Sequence, residues 1–221
     1  MTRISTQAKA FLARLGRETS GLALLEFALS LPILLTLSLT GAELTNYIIT
    51  KMRISQIALH LADNAARIGS GSQLQAKTIT EADINDLLTG ADMQSGELDL
   101  LENGRVIISS VEPVANPNTN SRYKIRWQRC KGSKTSLSSS WGTVATKTNE
   151  PGIGPTGRQT IAPDDGAAMF VEVRYIYRPL VKTPWAGEIN EVASMMVRDR
   201  RDLIGGTSGV YQVAGVTPST C

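Results

Sequence analysis

Residues 20–41 of the chain read SGLALLEFALSLPILLTLSLTG. The apolar run continues from Leu22 to Ala42, and a helix of that length measures roughly 31 Å at a rise of about 1.5 Å per residue. The hydrocarbon core of a bilayer is about 30 Å thick. We therefore predict that residues 22–42 form a helix that spans a membrane once.

One carboxylate lies inside this apolar run. Glu26 is the fifth residue after Gly21, and an ionisable group within a membrane segment costs roughly 2.5 kcal/mol or more unless it finds a partner. We therefore hypothesise that Glu26 has a functional role. Pro32 also lies in the run, where it removes one backbone hydrogen bond. It is either an ordinary membrane proline or a point of flexibility.

The charge of the chain is concentrated in its first residues. The whole chain has 23 basic and 20 acidic residues, and residues 1–21 contain four of the bases against Glu18 alone. These bases are Arg3, Lys9, Arg14 and Arg17. The rest is balanced, which argues against nucleic-acid binding. By the positive-inside rule the tail stays in the cytoplasm and the chain after Gly41 is exported. Ordinary secretory cleavage is disfavoured because the apolar run is too long and no A-x-A-like site follows it.

The helical pattern continues beyond the apolar run. Over residues 43–69 an apolar face recurs at intervals of four and three residues. Its members are Ile54, Ala58, Leu61, Ala65 and Ile68. Gly69 and Gly71 then provide a stop signal. We predict one continuous helix whose first half lies in lipid and whose second half, residues 43–69, packs against a domain.

Residues 70–221 are enough for one modest domain. Thr80 and Asp83 have the spacing of a capping box, which predicts a short helix that ends at Gly90. A calcium loop is the alternative, but the D-x-D-x-D-G pattern is absent. Asn103 and Gly104 suit a type I′ turn, so residues 98–111 are predicted as a β-hairpin.

Three further stretches have the pattern of strands. Residues 122–130 alternate strictly, which places Tyr123, Ile125 and Trp127 on one face and basic side chains on a solvated face. Residues 168–178 form a strong strand pattern that ends at Pro179. Residues 191–200 are predicted as the last long strand, with a helix as the alternative. The fold class is therefore α+β, a long N-terminal helix packed on a small antiparallel sheet.

Residues 131–166 are rich in Gly, Ser, Thr and Pro and have little periodicity. We predict a flexible loop, which serves either as a recognition surface or as a mobile connection. The two cysteines, Cys130 and Cys221, do not have the spacing of metal ligands. In an exported domain they are expected to form a disulfide, worth up to about 4 kcal/mol. Two unrelated free thiols are the alternative.

Motifs for catalysis are missing from the sequence. His60 is the single histidine, and the patterns of serine hydrolases and zinc peptidases do not occur. His60 falls on the polar face of the predicted helix, where a solvated role is expected. We predict a protein that is not an enzyme and that needs no metal or cofactor.

The sequence GLALLEF, from Gly21 to Phe27, with basic residues before it, resembles the processing site of type IV pilins. The block RETSGLALLEFALSLPILLTLSLTGAEL resembles the TadE-like pseudopilins of the tight-adherence (Tad, Flp pilus) system, and the resemblance extends over about residues 14–68. It implies cleavage after Gly21 by a prepilin peptidase, with Leu22 as the new N-terminus and Glu26 as its fifth residue. Phe27 after the glutamate favours a pseudopilin over a major pilin.

The resemblance also implies a place and partners. The precursor would be a single-pass protein of the bacterial inner membrane with a periplasmic domain. Its partners would be the prepilin peptidase, other pilins and pseudopilins, and the inner-membrane assembly platform. Glu26 would pair with the new α-ammonium group of a neighbouring subunit. The competing hypothesis is an uncleaved single-pass anchor whose loop 131–166 binds an envelope component. A small envelope enzyme is the third hypothesis, and the missing catalytic motifs disfavour it.

Overall fold

A computed structural model describes residues 20–72, 74–181 and 187–221, together with residues 11, 13, 14 and 16. The basic leader falls largely outside the described residues. The elements, in chain order, are α1 (Ser20–Arg67), β1 (Ile79–Thr80), α2 (Glu81–Ser95), a 3-10 turn (Gly96–Leu98), α3 (Leu100–Asn103), β2 (Gly104–Pro113), β3 (Tyr123–Lys131), β4 (Ala168–Ile176), β5 (Glu188–Met196) and β6 (Val210–Tyr211). The chain divides into two compact units, Met1–Asn46 and Tyr47–Cys221, and α1 contributes to both.

The predicted fold class is confirmed. The four long strands form an antiparallel sheet in the order β3-β2-β4-β5, and the short β1 and β6 pair in parallel. One main cluster of buried side chains joins α1, α2 and one face of this sheet. Its members include Ile54, Ala58, Leu61 and Ala65 from α1, Ile84 and Leu88 from α2, and Val106, Ile108, Val171 and Val173 from the sheet.

The opposite face of the sheet is covered by the segment 131–166. A second buried cluster joins Val111, Ile125 and Phe170 of the sheet to Ile153 and Ala162 of this segment. The domain therefore has three layers, with helices on one face of the sheet and irregular chain on the other.

Helix α2 begins as predicted but ends later. The Thr80 side chain accepts from the Asp83 N–H at 3.2 Å, and the Asp83 carboxylate accepts from the Thr80 N–H at 2.9 Å. The predicted end at Gly90 is wrong, because the helix continues to Ser95. Buried Leu88 and Ala91 continue the apolar face across the glycine, and this packing outweighs the roughly 1 kcal/mol that glycine costs within a helix.

The predicted hairpin at Asn103 and Gly104 is also wrong. Asn103 is the last residue of α3, and Gly104 is the first residue of β2. A Cβ atom on Gly104 would overlap the carbonyl oxygen of Arg174 and lie 3.0 Å from that of Leu100. The glycine is therefore needed for close packing of the backbone, and the turn-like dipeptide was misleading.

Strand β3 departs from strict alternation. Its pairing with β2 shifts so that Trp127 lies opposite Ser110 while Ile125 lies opposite Val111. Two adjacent residues of β2 therefore pair with two residues of β3 that are two positions apart, which is a β-bulge. Because adjacent residues of β2 face opposite sides of the sheet, Ile125 and Trp127 do so as well. Trp127 belongs to the main cluster and Ile125 to the second one. The prediction that Ile125 and Trp127 lie on the same face of the sheet was wrong.

The two stretches predicted as the last long strands both form strands. β4 covers Ala168–Ile176. β5 covers Glu188–Met196 and so begins before residue 191 and ends before residue 200. The chain beyond β5 turns back towards the end of α1, where the Arg201 guanidinium donates to the backbone of α1.

Candidate functional site

The predicted processing residues lie in the first turns of α1. Gly21 and Leu22 follow its first residue, Ser20, so the bond between them is inside the helix. Leu22 and Phe27 are 53% and 59% exposed, and Glu26 is exposed as well. Leu22 and Glu26 are four residues apart, which places them on the same side of the helix.

The apolar side chains that follow are exposed to the surroundings. Those that are at least half exposed between residues 22 and 39 are Leu22, Leu24, Leu25, Phe27, Leu29, Ile33, Leu34, Leu35, Leu37 and Leu39. In the described part of the chain, one helix is long and apolar enough to cross a membrane, with a mean hydropathy of 2.1 in its most apolar window and no burial of that window. By contrast, Ile54 and Leu61 of the same helix are buried. The helix is therefore compatible with a single-pass membrane anchor.

The threonine hydroxyl groups in and just after this segment are satisfied within the helix. Thr36 Oγ1 donates to the Pro32 carbonyl at 2.7 Å, and Thr40 Oγ1 donates to the Thr36 carbonyl at 2.7 Å. Thr45 Oγ1 makes the same bond to Gly41 at 2.8 Å. These bonds remove the cost of placing hydroxyls in lipid. Among the residues that the structure describes, Glu26 has no hydrogen bond or ion pair, so it is the one ionisable side chain of residues 22–42 that calls for an outside partner.

The structure joins Cys130 and Cys221 in a disulfide. The bond fixes the C-terminal tail beside β3, because the Cys130 N–H also donates to the Ser219 carbonyl at 2.8 Å. Asn85 of α2 holds the same tail, accepting from Ser219 Oγ at 2.6 Å. The bond thus lies in the unit Tyr47–Cys221, whereas Gly21, Leu22, Glu26 and Phe27 lie in the unit Met1–Asn46.

The loop predicted over residues 131–166 contains no helix or strand beyond Lys131, the last residue of β3, but has fixed contacts. The fully buried Glu172 carboxylate of β4 accepts from Ser139 Oγ and from the Ser140 N–H, both at 2.8 Å. Asn190 also donates to it at 3.4 Å. Hydrogen bonds to this carboxylate hold the loop against the sheet. No sequence motif predicted this contact.

A buried ion pair was also missed by sequence reasoning. Glu81 is fully buried, and its carboxylate pairs with the Arg129 guanidinium of β3, including a bond of 2.9 Å from Nε. Glu81 is in the first turn of α2, where the helix dipole favours an acid. Its partner depends on the bulge in β3, which brings Arg129 to the helical side of the sheet.

Two further charged groups are buried near the end of the sheet. Burial raises the pKa of Glu112 to about 7, although Arg126, 3.9 Å away, opposes this. Burial lowers the pKa of Arg201 to about 10. Both values depend on tertiary packing, so neither could be read from the sequence.

His60 is exposed, as expected. It lines a cleft of about 610 Å³ with Arg53 and Glu97. Within the described ranges, no group of three or more His, Cys, Asp or Glu side chains is placed to hold a metal ion.

Comparison with known proteins gave no match among protein-family models, curated proteins or solved structures.

Proposed function

We propose that the chain is the precursor of a structural minor pseudopilin, of the TadE-like class, that is needed to assemble a tight-adherence pilus. The observation that carries the proposal is the combination of Gly21 with a glutamate five residues later at the start of an exposed apolar helix. Basic residues before Gly21 fit a cytoplasmic leader. In this proposal a prepilin peptidase cleaves after Gly21.

The chemistry of Glu26 supports a role in assembly. Cleavage would create an α-ammonium group on Leu22, and both this cation and the Glu26 carboxylate are costly in an apolar bundle. Pairing the two groups between neighbouring subunits offsets both costs and fixes the axial register. The same pairing within one chain is possible because Leu22 and Glu26 are four residues apart on one helix.

The domain is proposed to lie in the periplasm. The disulfide between Cys130 and Cys221 fits an oxidising compartment. The proposed partners are the prepilin peptidase, other pilins and the inner-membrane assembly platform. The proposed role is structural rather than enzymatic.

An uncleaved membrane anchor is the second candidate function. It is favoured by one observation: the Gly21–Leu22 peptide bond lies inside α1, and a peptidase needs an extended substrate. Helix ends fray, however, and the bond is within the first turn. In this alternative the segment 131–166 would bind an envelope component.

Intact-mass measurement of the membrane-purified protein separates the two functions. Co-expression with a prepilin peptidase should yield a chain that begins at Leu22, and a Gly21→Ala variant should keep Met1. A Gly41→Ala variant provides the matched control, because that glycine lies in the same helix with open space around it. Retention of Met1 in the wild-type chain beside an active peptidase would contradict the proposed processing.

A further inference from the structure

The two edges of the main sheet differ in how their backbone groups are satisfied. At the β3 edge, Tyr123 exchanges hydrogen bonds of 2.7 and 2.8 Å with Glu150, and the Ile125 N–H donates to the Lys147 carbonyl at 2.8 Å. The C-terminal tail covers the far end of this strand through Cys130. The β3 edge is therefore closed by the protein's own chain.

The β5 edge is open over its whole length in the described residues. Tyr177 donates to Gly187 opposite it at 3.0 Å, and Val197 donates to Ala167 opposite it at 2.9 Å. Hydrogen-bonded pairs and non-hydrogen-bonded pairs alternate in an antiparallel ladder. The backbone groups of the odd-numbered residues of β5 therefore bond to β4. The even-numbered residues direct their N–H and C=O groups outward, and these groups have no partner in the described part of the chain. The residues whose backbone groups face outward are Glu188, Asn190, Val192, Ser194 and Met196.

Strand β5 also lacks the features that usually protect an edge. Its sequence, EINEVASMM, contains no proline and no lysine, and its pairing with β4 has no register shift. Proteins normally block such an edge with charges, prolines or bulges. Both acids of the strand are neutralised by the same chain, since Glu188 pairs with Arg174 and Glu191 lies 3.6 Å from Lys51.

A cleft lies beside the C-terminal end of this edge. It has a volume of about 440 Å³ and is lined by side chains that include Thr160, Ile161, Ser194, Met196 and Arg198. Thr160 is 6% exposed, and its hydroxyl has no hydrogen-bond partner among the described residues. The cleft thus combines apolar walls with an unsatisfied buried hydroxyl, next to two outward-facing residues of the strand.

The charge around this end of β5 is positive. Arg198 donates to Asp63 at 2.8 Å, but Asp63 also pairs with Arg67 at the same distance. Asp199 is occupied by Lys77 at 2.7 Å. Arg200 is exposed, and its side chain has no partner in the described ranges. The excess of arginine favours an acidic occupant.

We propose that the free edge of β5 binds an extended, acidic segment of a different protein chain as an added strand. The outward N–H and C=O groups bind the backbone of that segment, as in other cases of strand addition. An apolar side chain of the segment fills the cleft beside Ser194. An acidic side chain meets Arg198 and Arg200.

A second copy of this chain complements the edge poorly. Antiparallel pairing of β5 with its copy would bring the Arg198 end of one strand towards the Glu188 end of the other. The Glu188 carboxylate is already paired with Arg174 of its own chain, so the copy would offer no free acid there.

Peptide binding to the full chain in detergent micelles tests the proposal. The probe is a fluorescein-labelled peptide, TVEVEV, followed by fluorescence anisotropy, with TVKVKV as the charge-reversed control. The acidic peptide should bind at least several-fold more tightly than the basic one, and Arg198→Ala should reduce this difference. Absence of saturable binding by the acidic peptide would overturn the proposal.

Ser194 provides a matched pair of variants. Ser194→Pro removes an outward N–H that the fold does not use, whereas Ser194→Ala keeps it. The first should weaken peptide binding by about tenfold and the second by less than about twofold. Equal binding by both variants would contradict strand addition.

Two controls keep the test independent of how the proline variant folds. A TVEVEV peptide that is N-methylated at alternate residues should lose its binding to the wild-type chain, because one edge of the peptide can no longer donate. Sedimentation velocity would detect a dimer of the chain, and a dimer that disappears with Ser194→Pro would assign the edge to a second copy and overturn the proposal. Neither result bears on whether Gly21 is processed.

Discussion

The guanidinium of Arg201 closes the C-terminal end of α1, donating from Nη2 to the Ala65 carbonyl at 2.9 Å and to the Ile68 carbonyl at 3.0 Å. The last carbonyls of a helix have no partner within the helix, and a cation at this end also interacts favourably with the helix dipole. Arg201 thereby ties the chain that follows β5 to the helix that covers the sheet.

Loss of this arginine should destabilise the domain. Arg201→Met keeps much of the aliphatic volume but leaves two carbonyls without a donor, and charged hydrogen bonds of this kind contribute roughly 1.5–3 kcal/mol. Chemical denaturation of the full chain measures the free energy of unfolding. Arg200→Met, at the exposed neighbouring position, is the control and should change it by less than about 0.5 kcal/mol. Equal losses in both variants would show that the cap contributes nothing.

Glu112 should make stability depend on pH. Burial raises its pKa from 4.5 to about 7, so the folded chain binds this proton more tightly than the unfolded chain. The resulting stabilisation is complete below about pH 4.5 and is lost as the pH rises towards 7, a change on the order of 3 kcal/mol. Glu112→Gln cannot ionise, so its free energy of unfolding relative to wild type should rise between pH 4.5 and 7. A constant difference over that range would contradict the shifted pKa.

The disulfide should stabilise the domain through the unfolded state. Its two cysteines are separated by 91 positions, and closing a loop of that length is worth up to about 4 kcal/mol in the chain-entropy model. The Cys130→Ser, Cys221→Ser double variant should unfold at lower denaturant concentration. Hydrogen exchange should also increase over residues 212–221, which the bond fixes beside β3. Wild-type protein treated with a reductant provides an independent comparison, and unchanged stability in both would refute the prediction.

The mobility of residues 131–166 should depend on Glu172. Because Ser139 and Ser140 both donate to its buried carboxylate at 2.8 Å, Glu172→Ala should speed hydrogen exchange around residues 139–141 and lower stability by about 1–3 kcal/mol. Glu191→Ala, which removes a more exposed ion pair, is the control and should have little effect. Fast exchange of these residues already in the wild-type chain would show that the contacts do not hold the loop.

Glu26 should be needed for assembly but not for insertion. Glu26→Ala removes the carboxylate, so the proposed pairing with the new N-terminus is lost while the helix enters the membrane slightly more readily. Pilus assembly, scored by electron microscopy of cells carrying the variant, should fail. Ser30→Ala in the same segment removes a hydroxyl that is bonded within the helix and should leave assembly intact. Normal pili with Glu26→Ala would favour the uncleaved anchor.

The local features of the chain were determined by its sequence. The continuous helix, the capping box of Thr80 and Asp83 and strand β4 were predictable, because each depends on periodicity or on neighbouring side chains within a few residues. The α+β class followed from the same patterns. The candidate site, from Gly21 to Phe27, is likewise a local motif, and the structure adds that Leu22 and Glu26 are on one side of α1.

Only the tertiary structure decided which residues meet across the domain. The bulge that sends Ile125 and Trp127 to opposite faces depends on pairing with β2, and the burial of Glu112 and Glu172 depends on what covers the sheet. Gly104 looked like a turn residue because a glycine that permits a turn and one that permits close packing are identical in sequence. Contacts between distant residues, such as Arg201 with Ala65, arise from packing free energy, which no short stretch of sequence contains.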